Sequence, residues 1–507
     1  MNIHLLQYLE KTYSDFKDKV ALIDRDRELS FAELRNLSIG ISIELKKQNS
    51  ELSRKPIAVF LPKSLESIVS FTAVLYTGGF YVPLDSKSPI ERVASILDTL
   101  SPEIIITNRS LKTKLLQINY PADKIVEYES LVQPNQADIE SYKLPENHID
   151  TNPAYCKFTS GSTGIPKGVL IPHKAVIDFI DWARERFEID ERYIIGNQSP
   201  FFFDQSVFDI YLMMSTGSTV VIIPEELFIF PAKLLEYINE VKINLFFWVP
   251  SVLVNVANFK LLDAIELPHL EKIFFGGEVM STRHLNYWRK HLPEPMYINM
   301  YGPTETTVDS VYYVVEREIP DEESVPIGTP CRNTDVLILN ERNELSKVNE
   351  TGELCIRGSS LALGYYNNPG KTSEVFVQNP INKVYPELIY RTGDIVYLND
   401  LGEIIYMCRK DNQIQHMGYR IELGEIEVAV MGIDMLDNAC VLYNNEKKEI
   451  VMYYSAEVKI EPGSLRKQLV KKLPKYMVPS SFIQLTKMPL NANGKIDRNT
   501  LKAQMEN

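Results

Sequence analysis

The chain has 507 residues, of which 45% are hydrophobic, 10% aromatic and 24% charged, and 54 basic against 67 acidic side chains leave a formal charge of −13. At roughly 100–200 residues per domain, this length supports two to four domains with large cores. The acidic balance argues against a nucleic-acid or anionic-membrane surface, which would need clustered Lys and Arg, but it allows a nucleotide in one locally basic pocket.

The N-terminal stretch is charged and amphipathic, without the apolar core of a signal peptide, and no run approaches about 18 uninterrupted apolar residues. Residues 56 to 83 read as the start of a βαβ unit. Pro56 to Leu61 forms a strand, Ser64 to Tyr76 a helix, and Phe80 to Leu84 the next strand after Gly78-Gly79. A helix from Pro89 to Thr99 and a buried strand from Glu103 to Thr107 follow. Strands at Ser218 to Ile223 and Asn244 to Trp248 around a helix from Ala232 to Val241 continue the α/β alternation. Between about 320 and 408 the helices are expected to stop, and short β runs such as Asp335 to Leu339 and Glu353 to Gly358 predict a small all-β, barrel-like subdomain. Beyond Arg409 the texture is α+β: a helix from Ile421 to Met431, a strand from Ile450 to Tyr454, and a helix capped by Ser464 with Leu465, Leu469, Val470 and Leu473 on its apolar side. Cys156, Cys331, Cys355, Cys408 and Cys440 are scattered without a CxxC pair. That pattern fits neither a disulfide framework nor a zinc knuckle and suits a reducing cytoplasm.

Four segments carry chemistry. Thr159-Ser160-Gly161-Ser162-Thr163-Gly164-Ile165-Pro166-Lys167-Gly168 packs four hydroxyls, three glycines and a lysine behind a strand. Glycines let backbone N–H groups approach a phosphate, hydroxyls add donors, and lysine supplies charge. It is not a P-loop, because no Gly-Lys-Ser/Thr occurs and a strand follows. Tyr301-Gly302-Pro303-Thr304-Glu305 follows the apolar run Met296 to Met300, at a strand's C-terminal end where open α/β sheets place ligands. There Tyr301 offers a stacking face, Thr304 a phosphate donor and Glu305 a hard oxygen for Mg²⁺. In Tyr390-Arg391-Thr392-Gly393-Asp394, with Arg409 fifteen residues on, an Asp at a tight turn can accept from both hydroxyls of a ribose. Lys495 sits in an Asn-Gly turn, Asn493-Gly494-Lys495. Each segment alone has a plainer reading: a Gly/Ser hairpin, a Gly-Pro turn, a β-turn Asp and a solvated lysine.

In their order and residues the four together resemble the adenylate-forming superfamily. The likeness is to the amino-acid-activating adenylation domains of nonribosomal peptide synthetases and to stand-alone D-alanine–carrier protein ligases. It runs from Leu29-Ser30-Phe31-Ala32-Glu33-Leu34 to Ile496-Asp497-Arg498, through Gly352-Glu353-Leu354, Gly364-Tyr365-Tyr366 and Gly418-Tyr419-Arg420-Ile421-Glu422-Leu423-Gly424-Glu425. The implied architecture is a large α/β N-terminal portion, residues 1–410, built of two layered sheets plus the barrel-like subdomain. A small mobile α+β C-terminal domain, residues 411–507, follows.

The resemblance implies ATP and Mg²⁺ as cofactors and a two-step reaction: an aminoacyl-adenylate forms with release of pyrophosphate, and a thiol on a separate phosphopantetheinylated carrier protein then displaces AMP. It assigns Thr159 to Lys167 to the β- and γ-phosphates, Thr304 to the α-phosphate and Glu305 to Mg²⁺. Tyr301 and Asn299 go to adenine, Asp394 and Arg409 to the ribose, and Gly277, Glu278 and Gly302 to the same nucleotide site. Lys495 would bridge the substrate carboxylate and the reacting phosphate. Asp204 would pair with the substrate α-ammonium, a role that fits the cost of burying an Asp among aromatics without a cation; its alternative is a helix N-cap. Gln205, Phe208, Phe247, Phe274, Gly276, Met300, Val308 and Asp309 would line the side-chain pocket. The three phenylalanines favour a small or compact polar amino acid such as alanine or serine, and an ornithine-like side chain on Asp309 stays open. Asp411 takes the hinge position, and the Gly418 loop would reach the site for thioester formation when Lys495 withdraws.

The chain departs from the family pattern at Leu363, at Cys408, and at Gln415-His416-Met417, where basic residues are usual. An acyl- or aryl-CoA synthetase and a catalytically silent nucleotide-binding protein are the competing readings; Asp204 argues against the first, and the lysines with Glu305 against the second. No nucleic-acid or membrane partner is expected.

Overall fold

Apolar runs bounded by turns become buried strands here, and their parallel pairing sets the architecture. A computed structural model describes residues 2–131, 136–144, 148–161, 165–410, 413–431, 433, 436, 438–456, 458–489 and 496–506. Pro56–Phe60, Phe80–Pro83 and Ile104–Thr107 are wholly buried and pair in parallel. Pro153–Thr159 and Lys167–Pro172 add an antiparallel pair, and Ile125–Glu127 and Gly364–Tyr365 complete a sheet of seven strands. A second sheet of nine strands holds Ile194–Asn197, Leu245–Trp248, Lys272–Gly276 and Met296–Tyr301 in parallel array. The helix Gln205–Thr216 is buried along its whole length and Leu65–Thr77 everywhere but at Glu66, as helices apolar on nearly every side are. The largest core joins Ile57 and Tyr81 of one sheet to Ile195, Phe247 and Ile298 of the other. Two layered α/β sheets are therefore observed as expected.

The third sheet is antiparallel, with Thr334–Leu339, Gly352–Gly358, Leu388–Leu398, Phe376–Gln378 and Ile404–Arg409 curling into a half-barrel. Two details differ from the sequence reading. A short helix, Pro369–Val375, interrupts the expected all-β stretch, started by Pro369 and capped by the Asn368 side chain. Asp394 lies inside the eleven-residue strand Leu388–Leu398 rather than at a tight turn, because pairing with Ile404–Arg409 carries the ladder past Gly393 and sets Asp394 opposite Arg409.

Residues after 413 build two further sheets. One is the hairpin Gln413–His416 with Tyr419–Glu422; the other is formed by Asn438–Asn444, Glu449–Ser455 and Ser481–Leu485. Their apolar clusters draw only on residues of this stretch, Ile421, Ile426, Val441, Met452, Leu465 and Leu469 among them. Ile421 and Glu422 close the hairpin, so the helix expected from Ile421 begins at Leu423. The helix Pro462–Lys472 starts at Pro462 behind Glu461, which places Ser464 inside its first turn rather than at the cap, and Val470 on the exposed side. Among the described residues no helix is long and apolar enough to cross a membrane.

His4, His148 and His173 form a buried trio with ring centroids 3.9–4.6 Å apart. The backbone amides of Leu6 and Leu5 donate to Nδ1 of His4 and His173, which places each ring proton on Nε2 and leaves that atom no lone pair for a metal. Burial, then the neighbouring His148, pushes the His4 pKa down to about 3. A base depressed in the fold binds its proton first in the unfolded chain. The stability this burial gives is therefore complete above about pH 6.5 and is lost as pH falls towards 3, by about 1.4 kcal/mol per pH unit at most. In urea unfolding, the stability gap between the wild-type chain and His4→Gln should narrow from pH 7.5 to 4.5; a constant gap would contradict this.

Candidate functional site

A cavity of about 640 Å³ opens at the C-terminal ends of the strands Lys272–Gly276 and Met296–Tyr301, between the curled sheet and the hairpin 413–422. Thr159, Ser160, Asp204, Gln205, Gly277, Glu278, Asn299, Met300, Tyr301, Gly302, Thr304, Val308, Asp309, Asp394, Arg409 and Gly418 all face it. Ser162, Thr163, Gly164, Asp411 and Lys495 lie outside the described residues.

The loop after Met296–Tyr301 is tightly specified. A Cβ on Gly302 would lie 2.4 Å from the Asp309 Cα, so only glycine lets the loop fold back on itself. Thr307 and Val308 both take left-handed backbone conformations, at φ 60° and 63°. For β-branched residues such conformations cost about 1–3 kcal/mol each. The strain is held by Thr307 Oγ1 donating to the Ser360 carbonyl at 2.8 Å and Ser310 N–H donating to the Tyr301 carbonyl at 2.8 Å. What it achieves is to set Asp309 on the cavity wall and to hold Glu305 sealed behind it, from one short segment.

Glu305 has no solvent exposure. Its Oε1 accepts from the Tyr365 hydroxyl at 2.6 Å and lies 3.5 Å from Lys167 Nζ; its Oε2 accepts from Arg420 Nη1 at 2.5 Å. Burial alone would raise this carboxyl, but Arg420 and Lys167 hold it well below the usual carboxylate range. Burial also lowers the Lys167 ammonium, against the pull of Glu305. A buried hard carboxylate of this kind suits a divalent cation, and in the arrangement seen here its cationic partners are the two side chains.

Asp394 and Arg409, opposite one another across two strands, pair at 3.0 Å, and the Tyr301 hydroxyl donates to the other Asp394 oxygen at 2.5 Å. Burial raises the Asp394 carboxyl, opposed by Arg409 and the Tyr301 hydroxyl. Asn299 Nδ2 donates to the Pro326 carbonyl at 2.8 Å. The expected nucleoside residues thus converge, with Tyr301 tied to Asp394 by its hydroxyl.

On the far side, Asp204 stands at the N-cap position of Gln205–Thr216, yet its side chain makes no cap hydrogen bond. Its carboxyl is raised by burial and opposed by the Thr304 hydroxyl and the Lys157 charge. Lys157 is itself buried, donates to Ser206 Oγ at 2.9 Å and to the Phe203 carbonyl, and is pushed down to about 7 by burial. Asp309 Oδ2 is buried without a partner among the described residues, and burial followed by the Asp204 charge raises this acid well above its ordinary value. Phe208, Phe247 and Phe274 pack on one another at 5.0–6.2 Å, and Gln205 Nε2 donates to the Gly276 carbonyl at 3.2 Å. These three rings and Gly276 stand behind the cavity rather than on its surface, so they shorten it as a wall.

The hairpin 413–422 is docked into the site. Gly418 N–H donates to Glu278 Oε1 at 2.8 Å; Ser160 Oγ donates to the Arg420 carbonyl at 2.8 Å and accepts from Glu422 N–H at 3.1 Å. Tyr419 stacks on Tyr476 and meets the Phe203 edge, and Arg92 pairs with Glu425. Gly418, at φ +79°, approaches so closely that a Cβ would stand 2.6 Å from Val249 Cγ1. Sequence reasoning placed the Gly418 loop here but gave Arg420, Lys157 and Tyr365 no role. Lys157 reads as an ordinary strand residue, although its place two residues before Thr159 puts it on the same face and was the available signal.

A family model described as AMP-binding enzyme matches residues 9–366. Zwittermicin A synthase ZmaJ of Bacillus cereus is 31% identical over 494 residues, covering 96% of this chain and 92% of that protein. Tyrocidine synthase 1 of Brevibacillus parabrevis is 32% identical over 499 residues, covering 98% of this chain, which spans 44% of that longer protein. The structure of the Vibrio cholerae adenylation domain AlmE in complex with glycyl-adenosine-5'-phosphate matches with a TM-score of 0.85 at 22% identity, covering 100% of this chain and 98% of that one. This last likeness is one of fold.

Proposed function

The chain belongs to the AMP-binding enzyme family of the adenylate-forming superfamily, and on that footing we propose that it activates an amino acid with ATP and passes the aminoacyl group to a carrier-protein thiol. The observation that carries this reading is one cavity lined by the half-buried carboxylate of Asp204 together with Ser160 and Thr304, and backed by the pair Lys167 and Glu305. Asp204 grips the α-ammonium. Asp394 with Arg409 takes the ribose, and Tyr301 with Asn299 takes the base. Thr159, Ser160, Lys167 and Thr304 receive the phosphates, with Gly277, Glu278 and Gly302 shaping the same floor. Ser162, Thr163 and Gly164 belong to this phosphate set by position.

The substrate carboxylate is ionised at neutral pH, so no base is needed. Its oxygen bonds to the α-phosphorus as the bond to the pyrophosphate oxygen breaks, and the barrier is one of alignment and charge. Magnesium, when bound through Glu305, shields the phosphate charge. In the second half a carrier-protein phosphopantetheine thiol loses its proton, its sulfur bonds to the acyl carbon, and AMP departs. Residues 1–410 and 411–507 act as two units turning at Asp411. Lys495 serves the first half, and the docked Gly418 hairpin serves the second. The substrate is a compact amino acid whose side chain ends in a hydrogen-bond donor, because the phenylalanine wall limits its length and Asp309 Oδ2 awaits a donor. A cytoplasmic setting fits five cysteines without a disulfide.

Pyrophosphate exchange across the amino acids and aryl acids tests the reading. A compact hydroxyl- or amine-bearing amino acid should drive exchange, and Asp204→Asn should cut its kcat/KM by about 10²–10³, as loss of one member of a buried ion pair implies. Exchange with an aryl acid alone would overturn the amine grip. Lys495→Ala should abolish adenylate formation yet spare transfer from supplied aminoacyl-adenylate; equal loss of both halves would refute its role.

A further inference from the structure

We propose that Lys157 is a second ionic element of the amine site: it pins the turn that presents Asp204 and balances that carboxylate in the ligand-free chain, and it gives up a proton when the substrate ammonium takes its place. This rests on the amine grip proposed above and adds to it the residue that holds the carboxylate ready.

Three observations carry it. The first is position. Lys157 lies on the strand Pro153–Thr159, is 1% exposed and lines the same cavity as Asp204. Its Nζ donates to the Phe203 carbonyl and, at 2.9 Å, to Ser206 Oγ, so its hydrogen bonds fall on either side of Asp204 in the chain. Ser206 Oγ in turn donates to the Phe203 carbonyl at 2.6 Å, which closes the turn around the lysine.

The second observation is charge. A buried ammonium is costly without a counter-charge. Burial lowers Lys157 to about 7, and the carboxylate that opposes this lowering is Asp204. The neighbouring titratable groups supply no other cation among the described residues. The Tyr155 ring centroid lies 5.2 Å from Lys157 Nζ, and burial pushes its phenol up. Asp309 is raised by burial and by Asp204, and Glu305 adds only negative charge near Asp204. An ammonium arriving at Asp204 therefore sets two cations on one carboxylate where the dielectric is low. Lys157 is the one already close to losing its proton.

The third is what the lysine keeps when neutral. Among the described residues Lys157 Nζ has two acceptors, and a neutral amine retains two hydrogens. One N–H bond breaks, its electron pair stays on Nζ, the proton passes to the solvent buffer, and the turn stays pinned. Lys157 is thus a positioning residue that acts through Asp204 and its turn rather than on the reacting atoms. A ligand whose binding releases a proton is held more weakly as pH falls, by up to about tenfold per pH unit below the ligand-free midpoint of the releasing group.

Nuclear magnetic resonance of the full chain labelled at lysine Cε tests this, with the Lys157 signal identified by its loss in Lys157→Arg. In the ligand-free chain its midpoint should lie near 7, and Asp204→Asn should lower it by at least one pH unit, with circular dichroism reporting that the variant is folded. In the wild-type chain, saturating seryl-sulfamoyl-adenosine, a mimic of an aminoacyl-adenylate used in its L and D forms, should lower the midpoint equally far. The counterpart lacking the α-amine should leave it in place. A midpoint unmoved by Asp204→Asn in the folded variant, unmoved by the bound amine-bearing mimic, or moved equally by both mimics would overturn the proposal. Calorimetry separates the two levels. If neither mimic binds, the proposed substrate reading fails, and the ligand-free comparison with Asp204→Asn alone decides the pairing: a lowered midpoint supports it, an unchanged one overturns it. If Asp204→Asn does not fold, the two mimics on the wild-type chain decide instead.

Discussion

A carboxylate sealed from water must be given positive charge, and Glu305 is where that constraint falls in this molecule. Three parts of the chain answer it. Lys167 comes from the strand after the hydroxyl-rich turn, Tyr365 from the strand that pairs beside it, and Arg420 from the hairpin after residue 413. The charge balance of one side chain therefore couples the seven-stranded sheet, the loop beyond the nine-stranded sheet and the C-terminal stretch. Moving any of the three contributors changes what Glu305 can hold.

The rest of the cavity is arranged around that point. The left-handed pair Thr307 and Val308 turns one short loop so that Asp309 lines the cavity while Glu305 stays sealed behind it. The Thr304 hydroxyl, next in chain to Glu305, reaches Asp204. The surroundings of Asp204 and of Glu305 thus share a single rigid loop, stiffened by buried hydrogen bonds to Ser360 and within the loop. Such stiffness favours alignment of two reactants over adaptation to many.

Much of this was legible in sequence because the signals are local. Apolar runs such as Ile104 to Thr107 mark buried strands whatever surrounds them, and the glycines between Thr159 and Lys167 mark the break between two strands. What was not legible depends on partners distant in sequence. Asp394 reads as a turn residue until the ladder to Ile404–Arg409 is seen. Arg420 belongs to a recognisable segment, but its partner Glu305 is 115 residues away. The histidine trio joins three segments with no common pattern. The phenylalanines were readable as a group near the expected pocket, but only packing shows that they form a wall behind the cavity rather than its surface.

The central claim is that Glu305 and Arg420 are energetically one unit in the ligand-free chain. A double-mutant cycle measures that directly, using urea unfolding of the wild-type chain, Glu305→Gln, Arg420→Gln and the double variant. The account predicts a coupling of about 1–3 kcal/mol, with the double variant less destabilised than the sum of the single changes. Additive single changes would contradict it.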